Sequence, residues 1–83
     1  MYFVYLLQSE KDQKYYIGQT QSIEKRLHEH NAGLEKSTKS RIPFKLLEYE
    51  VYGTREEARW REYKLKKSAY KRIKFIRELS QIK

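Results

Sequence analysis

Hydrophobic residues near the start of the chain fall into two short runs that are separated by a polar break. Residues 2–8 are rich in aromatic and β-branched side chains, residues 9–13 are polar, and residues 14–19 are again aromatic and apolar. Two such runs around a loop of this length are typical of a β-hairpin. We therefore expect two antiparallel strands, with Gly18 marking a bend or the close approach of another group to the second strand.

A helix is predicted after the hairpin by its end signals and by a short apolar stripe. Thr20 and Ser22 are candidate N-caps, and the Asn-Ala-Gly step that ends at Gly33 is a typical helix stop. Ile23 and Leu27 lie four residues apart, so that both fall on one face of this helix. That face is expected to pack on the sheet.

A third strand is predicted over Phe44–Tyr52, where the pattern alternates loosely and places Leu47, Tyr49 and Val51 on one side. Gly53 ends this strand.

A capping box opens the next helix and is the strongest local start signal in the chain. Thr54 is followed three residues later by Glu57, so that the hydroxyl can bind the backbone amide of Glu57 while the carboxylate reaches back. This helix is expected over Arg55–Lys67, and a last helix over residues 70–79. The predicted order is β-β-α-β-α-α, which indicates a small α/β (α+β) fold: one domain over residues 1–83, with a three-stranded antiparallel sheet flanked by helices.

The charge of the chain is strongly positive and unevenly distributed. The 83 residues include 19 Lys and Arg against 11 Asp and Glu, a net charge of +8, and residues 55–83 carry +7 of it. A field of this sign attracts polyanions, of which nucleic acid is the commonest in a cytoplasm. With no cysteine there are no disulfides, thiolate zinc sites or cysteine nucleophiles, and no apolar run reaches the ~20 residues of a membrane span. We expect a soluble, cytoplasmic protein with no membrane contact, present as a monomer or a weak homodimer.

Glu62 is the residue that packing explains least. On the predicted second helix it lies four residues after Ala58 and three before Leu65, which places its carboxylate on the stripe that faces the sheet. Burying an unpaired carboxylate is costly, so the group needs a partner. Two partners remain open here: an internal Arg or Lys, or a divalent cation such as Mg²⁺.

Four further side chains are candidates for chemistry. Arg26 and His30 are four residues apart and flank the buried face of the first helix, whereas His28 is expected to face solvent. The guanidinium of Arg26 suits a phosphate, although a surface arginine is the plain alternative. Tyr5 and Tyr16 fall on the two hairpin strands, where their phenols can lie close together, and cross-strand packing alone also explains them.

These residues resemble the GIY-YIG nuclease family. Residues 16–18 read Tyr-Ile-Gly and residues 3–5 read Phe-Val-Tyr, which is the family signature with Phe-Val in place of Gly-Ile. The resemblance continues through Arg26 and His30 and then Glu62, and it covers essentially the whole chain. It is strongest to the small stand-alone single-domain members, which are similar to the N-terminal domain of the excision-repair incision subunit.

The resemblance implies an endonuclease that hydrolyses phosphodiester bonds in DNA, with RNA left open. Glu62 would bind a single Mg²⁺ or Mn²⁺, Tyr16 would activate water with Tyr5 as helper or substitute, Arg26 would brace the phosphate, and His30 would orient a tyrosine or the water. Because a phenol is a poor base at neutral pH, either nearby cations lower the pKa of the tyrosine that acts as base, or that tyrosine acts through a transient phenolate.

Several other residues are expected to contact nucleic acid. The family's lysine beside the tyrosine is replaced here by Gln19, for which a loop lysine is the candidate substitute. A non-catalytic basic nucleic-acid-binding module is the alternative function, in which Tyr63, Tyr70 or Phe75 stacks on unpaired bases, and it leaves Glu62 without a role. A third possibility is an accessory subunit that binds another protein through the exposed strand edge or Trp60. We expect Trp60 to be a partly buried packing residue. The residues predicted to bind nucleic acid are Gly18, Lys36, Thr38, Lys39, Arg41, Lys64, Lys67 and Lys71.

Overall fold

The computed structural model describes residues 1–67, and their elements follow the predicted order. The strands are β1 (Tyr2–Ser9), β2 (Tyr15–Thr20) and β3 (Phe44–Tyr52), and the helices are α1 (Ile23–Asn31) and α2 (Arg55–Lys67), with a short 3-10 turn at Lys39–Arg41. The sheet is antiparallel in the order β2-β1-β3, so the predicted α+β class is confirmed. The helix expected over residues 70–79 lies outside the described residues, and the single domain over residues 1–83 stays a prediction.

Strand β1 is the centre of the sheet and is apolar on both faces. Val4 and Leu6 pack with α2 on one face, which we call the α2 face, whereas Tyr5 and Leu7 pack with α1 on the other, the α1 face. All four side chains are at most 2% exposed. Burying one leucine of this kind contributes about 1.5–3 kcal/mol, so this strand supplies much of a thin core.

Local signals explain where the helices begin and end. Ser22 caps α1 by accepting a hydrogen bond from the Lys25 amide at 3.3 Å, and Gly33 follows the helix at φ 76°, a conformation that glycine adopts without strain. At the start of α2 the Glu57 amide donates to the Thr54 hydroxyl at 3.2 Å. The Thr54 hydroxyl in turn donates to the Glu57 carboxylate at 2.9 Å, so the predicted capping box forms with a hydroxyl as the partner of the carboxylate.

One prediction for β3 is wrong because the strand contains a bulge. The pairing with β1 shifts between Leu6 and Leu7, and the extra residue is Leu47, which packs on the α2 face. Tyr49 is paired with Tyr5 and contacts Phe3, which places it on the α1 face. Leu47 and Tyr49 therefore lie on opposite sides, because a bulge breaks the period of two on which the prediction depended.

Among the described residues, no helix is long and apolar enough to cross a membrane.

Candidate active site

The candidate site lies on the α1 face of the sheet, where Tyr5 reaches across β2. Tyr5 is paired with Gly18, and a side chain on Gly18 would overlap the phenol, with its Cβ only 2.6 Å from the Tyr5 Cζ. The phenol therefore lies directly on the backbone of the edge strand. The predicted close approach at Gly18 is thus explained by a tyrosine of the neighbouring strand.

His30 is completely buried and connects Tyr5 to the loop after α1. Its Nε2 lies 3.2 Å from the Tyr5 hydroxyl, and its Nδ1 lies 2.9 Å from the hydroxyl of Thr38, which is also fully buried. The Thr38 hydroxyl donates to the Glu35 carbonyl oxygen at 3.4 Å, so it accepts from Nδ1–H. The Nε2 atom is then the acceptor, and the Tyr5 hydroxyl donates to it.

Burial keeps His30 neutral, as this arrangement requires. Desolvation lowers the pKa of His30 below its ordinary value of 6.5, and the positive charge of Arg26 lowers it further. The sequence predicts His30 beside the buried face of α1, whereas the structure shows that His30 is fully buried. The sequence also predicts that His28 faces solvent, and His28 is exposed.

Arg26 lies at the entrance of this arrangement and is shared between several acceptors. Its Nε donates to the Tyr5 hydroxyl at 3.4 Å, and its terminal nitrogens pair with Glu35 at 3.0 Å and Glu29 at 3.5 Å. These partners raise the pKa of Arg26, the hydrogen bond to Tyr5 contributing most. The guanidinium is held, yet its side chain is 30% exposed and therefore accessible to a ligand. We call Tyr5, Arg26, His30 and Thr38 the hydrogen-bonded network.

The acidity of Tyr5 is opposite to what a base requires. Burial raises the pKa of Tyr5 to about 12, and this outweighs the lowering by Arg26. The positive charge of Arg26 therefore does not bring the pKa of Tyr5 below its ordinary value, because desolvation is the larger effect. At neutral pH Tyr5 is a neutral phenol that donates a hydrogen bond.

Tyr16 has different surroundings, although it lies close by. Its ring centroid is 6.3 Å from that of Tyr5 and 5.0 Å from that of His30, so the predicted convergence of the two tyrosines on one face is confirmed. Tyr16 is partly exposed, and among residues 1–67 no hydrogen bond engages its hydroxyl. The Nζ of Lys66 lies 5.5 Å from its ring centroid. Within the described part of the chain, Tyr16 thus differs from Tyr5 in having a hydroxyl without a hydrogen-bond partner.

Glu62 and Lys66 come from α2 and reach the tyrosines around the edge strand. The Glu62 side chain is 19% exposed, and its carboxylate lies 3.8 Å from the Nζ of Lys66, whose side chain is 50% exposed. The negative charge of Glu62 is close enough to contribute to the raised pKa of Tyr5, after burial as the main cause. Within residues 1–67, the cation found beside Glu62 is therefore an exposed lysine of the same helix and not an internal one. We call Tyr16, Glu62 and Lys66 the open edge.

The donor set at the open edge fits a metal ion held by few protein ligands. Among the described residues, no group of three or more His, Cys, Asp or Glu side chains could hold a metal. Mg²⁺ commonly keeps several waters and is bound by one or two carboxylates together with substrate phosphates. The partly exposed carboxylate of Glu62, at longer than hydrogen-bonding distance from Lys66, fits this kind of site.

The residues predicted to bind nucleic acid fall into different environments. Lys36 and Lys39 are exposed in the loop after α1. Thr38 is buried against His30, which gives its hydroxyl a positioning role. Arg41 pairs with Asp12 at 3.0 Å and lies 5.4 Å from the centroid of the Phe44 ring, so it stabilises the hairpin turn.

The remaining candidates lie on or beyond α2. Lys64 and Lys67 lie over the rings of Trp60 and Tyr63. Lys71 is outside the described residues.

Sequence reasoning missed two residues at the site. It looked to loop lysines for a cation near Tyr16, but the structure places Lys66 there. The four-residue spacing between Glu62 and Lys66 was the available signal, because it puts both on one helix face. Glu35, the second carboxylate on Arg26, had no sequence signal, since the loop that brings it back has no regular period.

Comparison with known proteins agrees with this geometry. Residues 1–74 match the family model described as the GIY-YIG catalytic domain. The chain is 43% identical over 68 residues to UPF0213 protein CPE1444 of Clostridium perfringens, covering 81% of this chain and 72% of that relative. It is 39% identical over 79 residues to UPF0213 protein SSP2268 of Staphylococcus saprophyticus, covering 93% and 95% of the two chains.

A solved structure has the same fold. The solution NMR structure of UPF0213 protein BH0048 from Bacillus halodurans matches with a TM-score of 0.58 and 32% identity, over 92% of this chain and 83% of that one. The names of these relatives state no substrate, metal or reaction.

Proposed function

The chain belongs to the GIY-YIG family, and we propose that it is a metal-dependent endonuclease that hydrolyses phosphodiester bonds in DNA. One observation carries this proposal: two tyrosines, an arginine and a histidine from three elements lie together on the α1 face, and the charge of Glu62, from a fourth element, is close enough to act on Tyr5.

The two tyrosines have different roles in this proposal. Tyr16, which is partly exposed, acts as a transient phenolate: it gives its own proton to solvent, takes a proton from the attacking water and becomes a neutral phenol again, while the hydroxide attacks phosphorus. The positive charge of Lys66 stabilises the phenolate until it takes that proton. Tyr5 remains protonated and holds its position between His30 and Arg26. Its ring in turn fixes the orientation of Tyr16.

Arg26 binds the phosphate that is cleaved. In this structure its terminal nitrogens pair with Glu35 and Glu29, which occupy the donors that a phosphate would need. A phosphate offers the same guanidinium a stronger, bidentate partner. Arg26 therefore exchanges a carboxylate for a phosphoryl oxygen while its Nε keeps the contact with Tyr5.

Glu62 would hold one Mg²⁺ or Mn²⁺ together with phosphate oxygens and water. A bound ion of this kind supplies a positive charge that stabilises the additional negative charge on the phosphoryl group. Lys66 then leaves the carboxylate and remains near Tyr16. Attack by water opposite the 3′ oxygen leaves a 5′ phosphate and a 3′ hydroxyl. We expect this activity in the cytoplasm, from a monomer or a weak homodimer.

The alternative of a binding module without catalysis accounts for the basic residues of α2. It gives no role to the carboxylate of Glu62, whose charge acts on Tyr5. The two functions predict different responses to a divalent metal, because binding through phosphates depends on salt and not on a particular ion.

The test is a panel of labelled DNA and RNA structures incubated with and without Mg²⁺ or Mn²⁺. We expect cleavage of at least one DNA substrate that stops in EDTA and is lost in Glu62→Gln, which keeps shape and removes charge. Glu24→Gln, at an exposed position on α1, is the matched control and should cleave normally. Cleavage by Glu62→Gln at the wild-type rate would remove Glu62 from the mechanism, and metal-independent binding without cleavage would favour the binding module.

A further inference from the structure

Two aromatic rings stand exposed on the outer side of α2, away from the residues of the proposed chemistry. Trp60 is 60% exposed and Tyr63 is 49% exposed. Their rings are stacked, with centroids 5.6 Å apart and planes inclined by 14°. The sequence suggested a partly buried packing role for Trp60, and this expectation is wrong. Large aromatic side chains that are stacked in solvent present their faces to a ligand.

The ammonium group of a lysine lies over each of the two rings. The Nζ of Lys64 lies 5.5 Å from the Trp60 ring, and the Nζ of Lys67 lies 5.1 Å from the Tyr63 ring and 2.8 Å from the Tyr63 hydroxyl. We call Trp60, Tyr63, Lys64 and Lys67 the aromatic platform. The depression beside it is lined by Arg59 and by one acid, Glu56, so that positive charge prevails around the rings.

We propose that the aromatic platform binds an unpaired base of a nucleic acid strand, with its lysines on the flanking phosphates. A flat ring with a positive charge close to it matches a nucleotide, which joins a flat base to a negative phosphate. Stacking of a base on an exposed aromatic ring is stronger than the exposed contact between a lysine and that ring. A base therefore displaces the lysine from the ring, and the released ammonium remains within reach of the phosphate.

The place of the platform on α2 connects it to the candidate active site. Successive helical residues are turned by about 100°, so that Tyr63 lies roughly a third of a turn from Glu62 on the same level of the helix. Lys66 lies between them around the helix axis. A strand whose phosphate is bound at the open edge can thus place a neighbouring nucleotide on Tyr63 and Trp60. Bases in a duplex are stacked and paired, so the platform selects nucleotides that are already unpaired.

This inference rests on the proposed function for the nature of the ligand, and binding in EDTA tests it apart from cleavage. Trp60 is the single tryptophan of the chain, so its fluorescence reports on the platform alone. We would titrate the full-length protein with a short oligothymidine, with the same strand made of abasic residues, and with a duplex of equal length. The oligothymidine should quench Trp60 and bind about tenfold more tightly than the abasic strand, because only the former can stack. The duplex should quench little.

Variants separate stacking from charge, and labelled oligothymidine reports on them by anisotropy. Trp60→Leu and Tyr63→Leu should each weaken binding by about fivefold or more, and Trp60→Phe should weaken it less because a ring remains. Tyr49→Leu is the matched control, an equally exposed tyrosine on the α1 face of β3, and should change binding by less than about twofold.

Three results would overturn the platform: equal affinity for the abasic strand, equal quenching by the duplex, or normal binding by both leucine variants. Fluorescence typical of a buried indole in the free protein would also do so, since the Trp60 ring would then not be accessible to a base. Cleavage without quenching would reject the aromatic platform and support the nuclease. Quenching without any metal-dependent cleavage would support the aromatic platform and reject the nuclease.

Discussion

The two helices bring side chains to the same sheet edge in different ways. The hydrogen-bonded network on the α1 face is closed: His30 and Thr38 are fully buried, and Tyr5 is 2% exposed. The open edge from α2 and β2 has partly exposed side chains and one long ion pair, at 3.8 Å. We propose that the buried side chains of Tyr5, His30 and Thr38 fix the geometry before a substrate arrives. Arg26, which is 30% exposed, and the open edge exchange their partners when a substrate binds.

This contrast agrees with the roles that the proposed function gives to each group. A buried polar group needs every partner in place, so Tyr5 and His30 can adopt only one arrangement. In the proposed function Glu62 binds a metal and Tyr16 accepts a proton, and both residues are partly exposed. We therefore expect the stability of the site to depend on the buried part of the network, and its activity on Arg26 and the open edge.

The largest expected effect on stability comes from removing the imidazole at the centre of the network. His30→Ala leaves a cavity and deprives the Tyr5 and Thr38 hydroxyls of a partner, which should cost about 3 kcal/mol of unfolding free energy. Thermal unfolding followed by circular dichroism should show a loss of at least about 10 °C. His28→Ala, on the exposed side of the same helix, is the control and should shift the midpoint little. Equal effects of the two variants would mean that His30 is not part of a closed network.

A smaller loss is expected where Tyr5 crosses the edge strand. Gly18→Ala places a Cβ against the phenol, and the forced shift of Tyr5 should cost about 1–3 kcal/mol in unfolding free energy. Gly53→Ala is the matched control, because its added Cβ would meet only the Glu57 carboxylate at an ordinary 3.9 Å. Denaturant unfolding of both variants measures the difference. An unperturbed Gly18→Ala would show that the Tyr5 ring moves without cost.

The smallest expected effect is a pH dependence that belongs to the network. The pKa of His30 is lower in the folded chain than its ordinary 6.5, so the unfolded chain binds a proton first as the pH falls. Stability from neutral His30 is therefore complete above pH 6.5 and is lost as the pH falls from there towards the folded value. Unfolding midpoints between pH 8 and pH 5 should decline in the wild type. His30→Gln, which cannot titrate, should decline less, and a parallel decline in both would assign the effect to other groups.

Sequence reasoning succeeded where one local signal determines the outcome. The capping box at Thr54 gave the start of α2, and the strand pattern with Tyr5 and Tyr16 gave their common face. It failed where a distant part of the chain decides. The bulge at Leu47 changes the face of one residue without changing the composition, and the depth of His30 depends on a loop that returns to cover it.

The exposure of Trp60 is another feature that sequence reasoning did not predict. A tryptophan is usually buried in large part, so composition favoured a packing role. Its position on the outer side of α2 follows from Ala58 and Leu65, which face the sheet. The helix period indicated which face of α2 is buried. The free-energy cost of exposing a large ring to solvent nevertheless favoured a packed position for Trp60.

The most direct test of this division of roles compares the two tyrosines in single-turnover cleavage of DNA at saturating protein. Loss of a general base costs about 10²–10⁴ in rate, so Tyr16→Phe should slow cleavage at least about a hundredfold while unfolding stays unchanged. Tyr5→Phe should keep a larger part of the rate but unfold more easily, since His30 and Arg26 lose their common partner. Wild-type cleavage by Tyr16→Phe, together with a dead but stable Tyr5→Phe, would contradict the account.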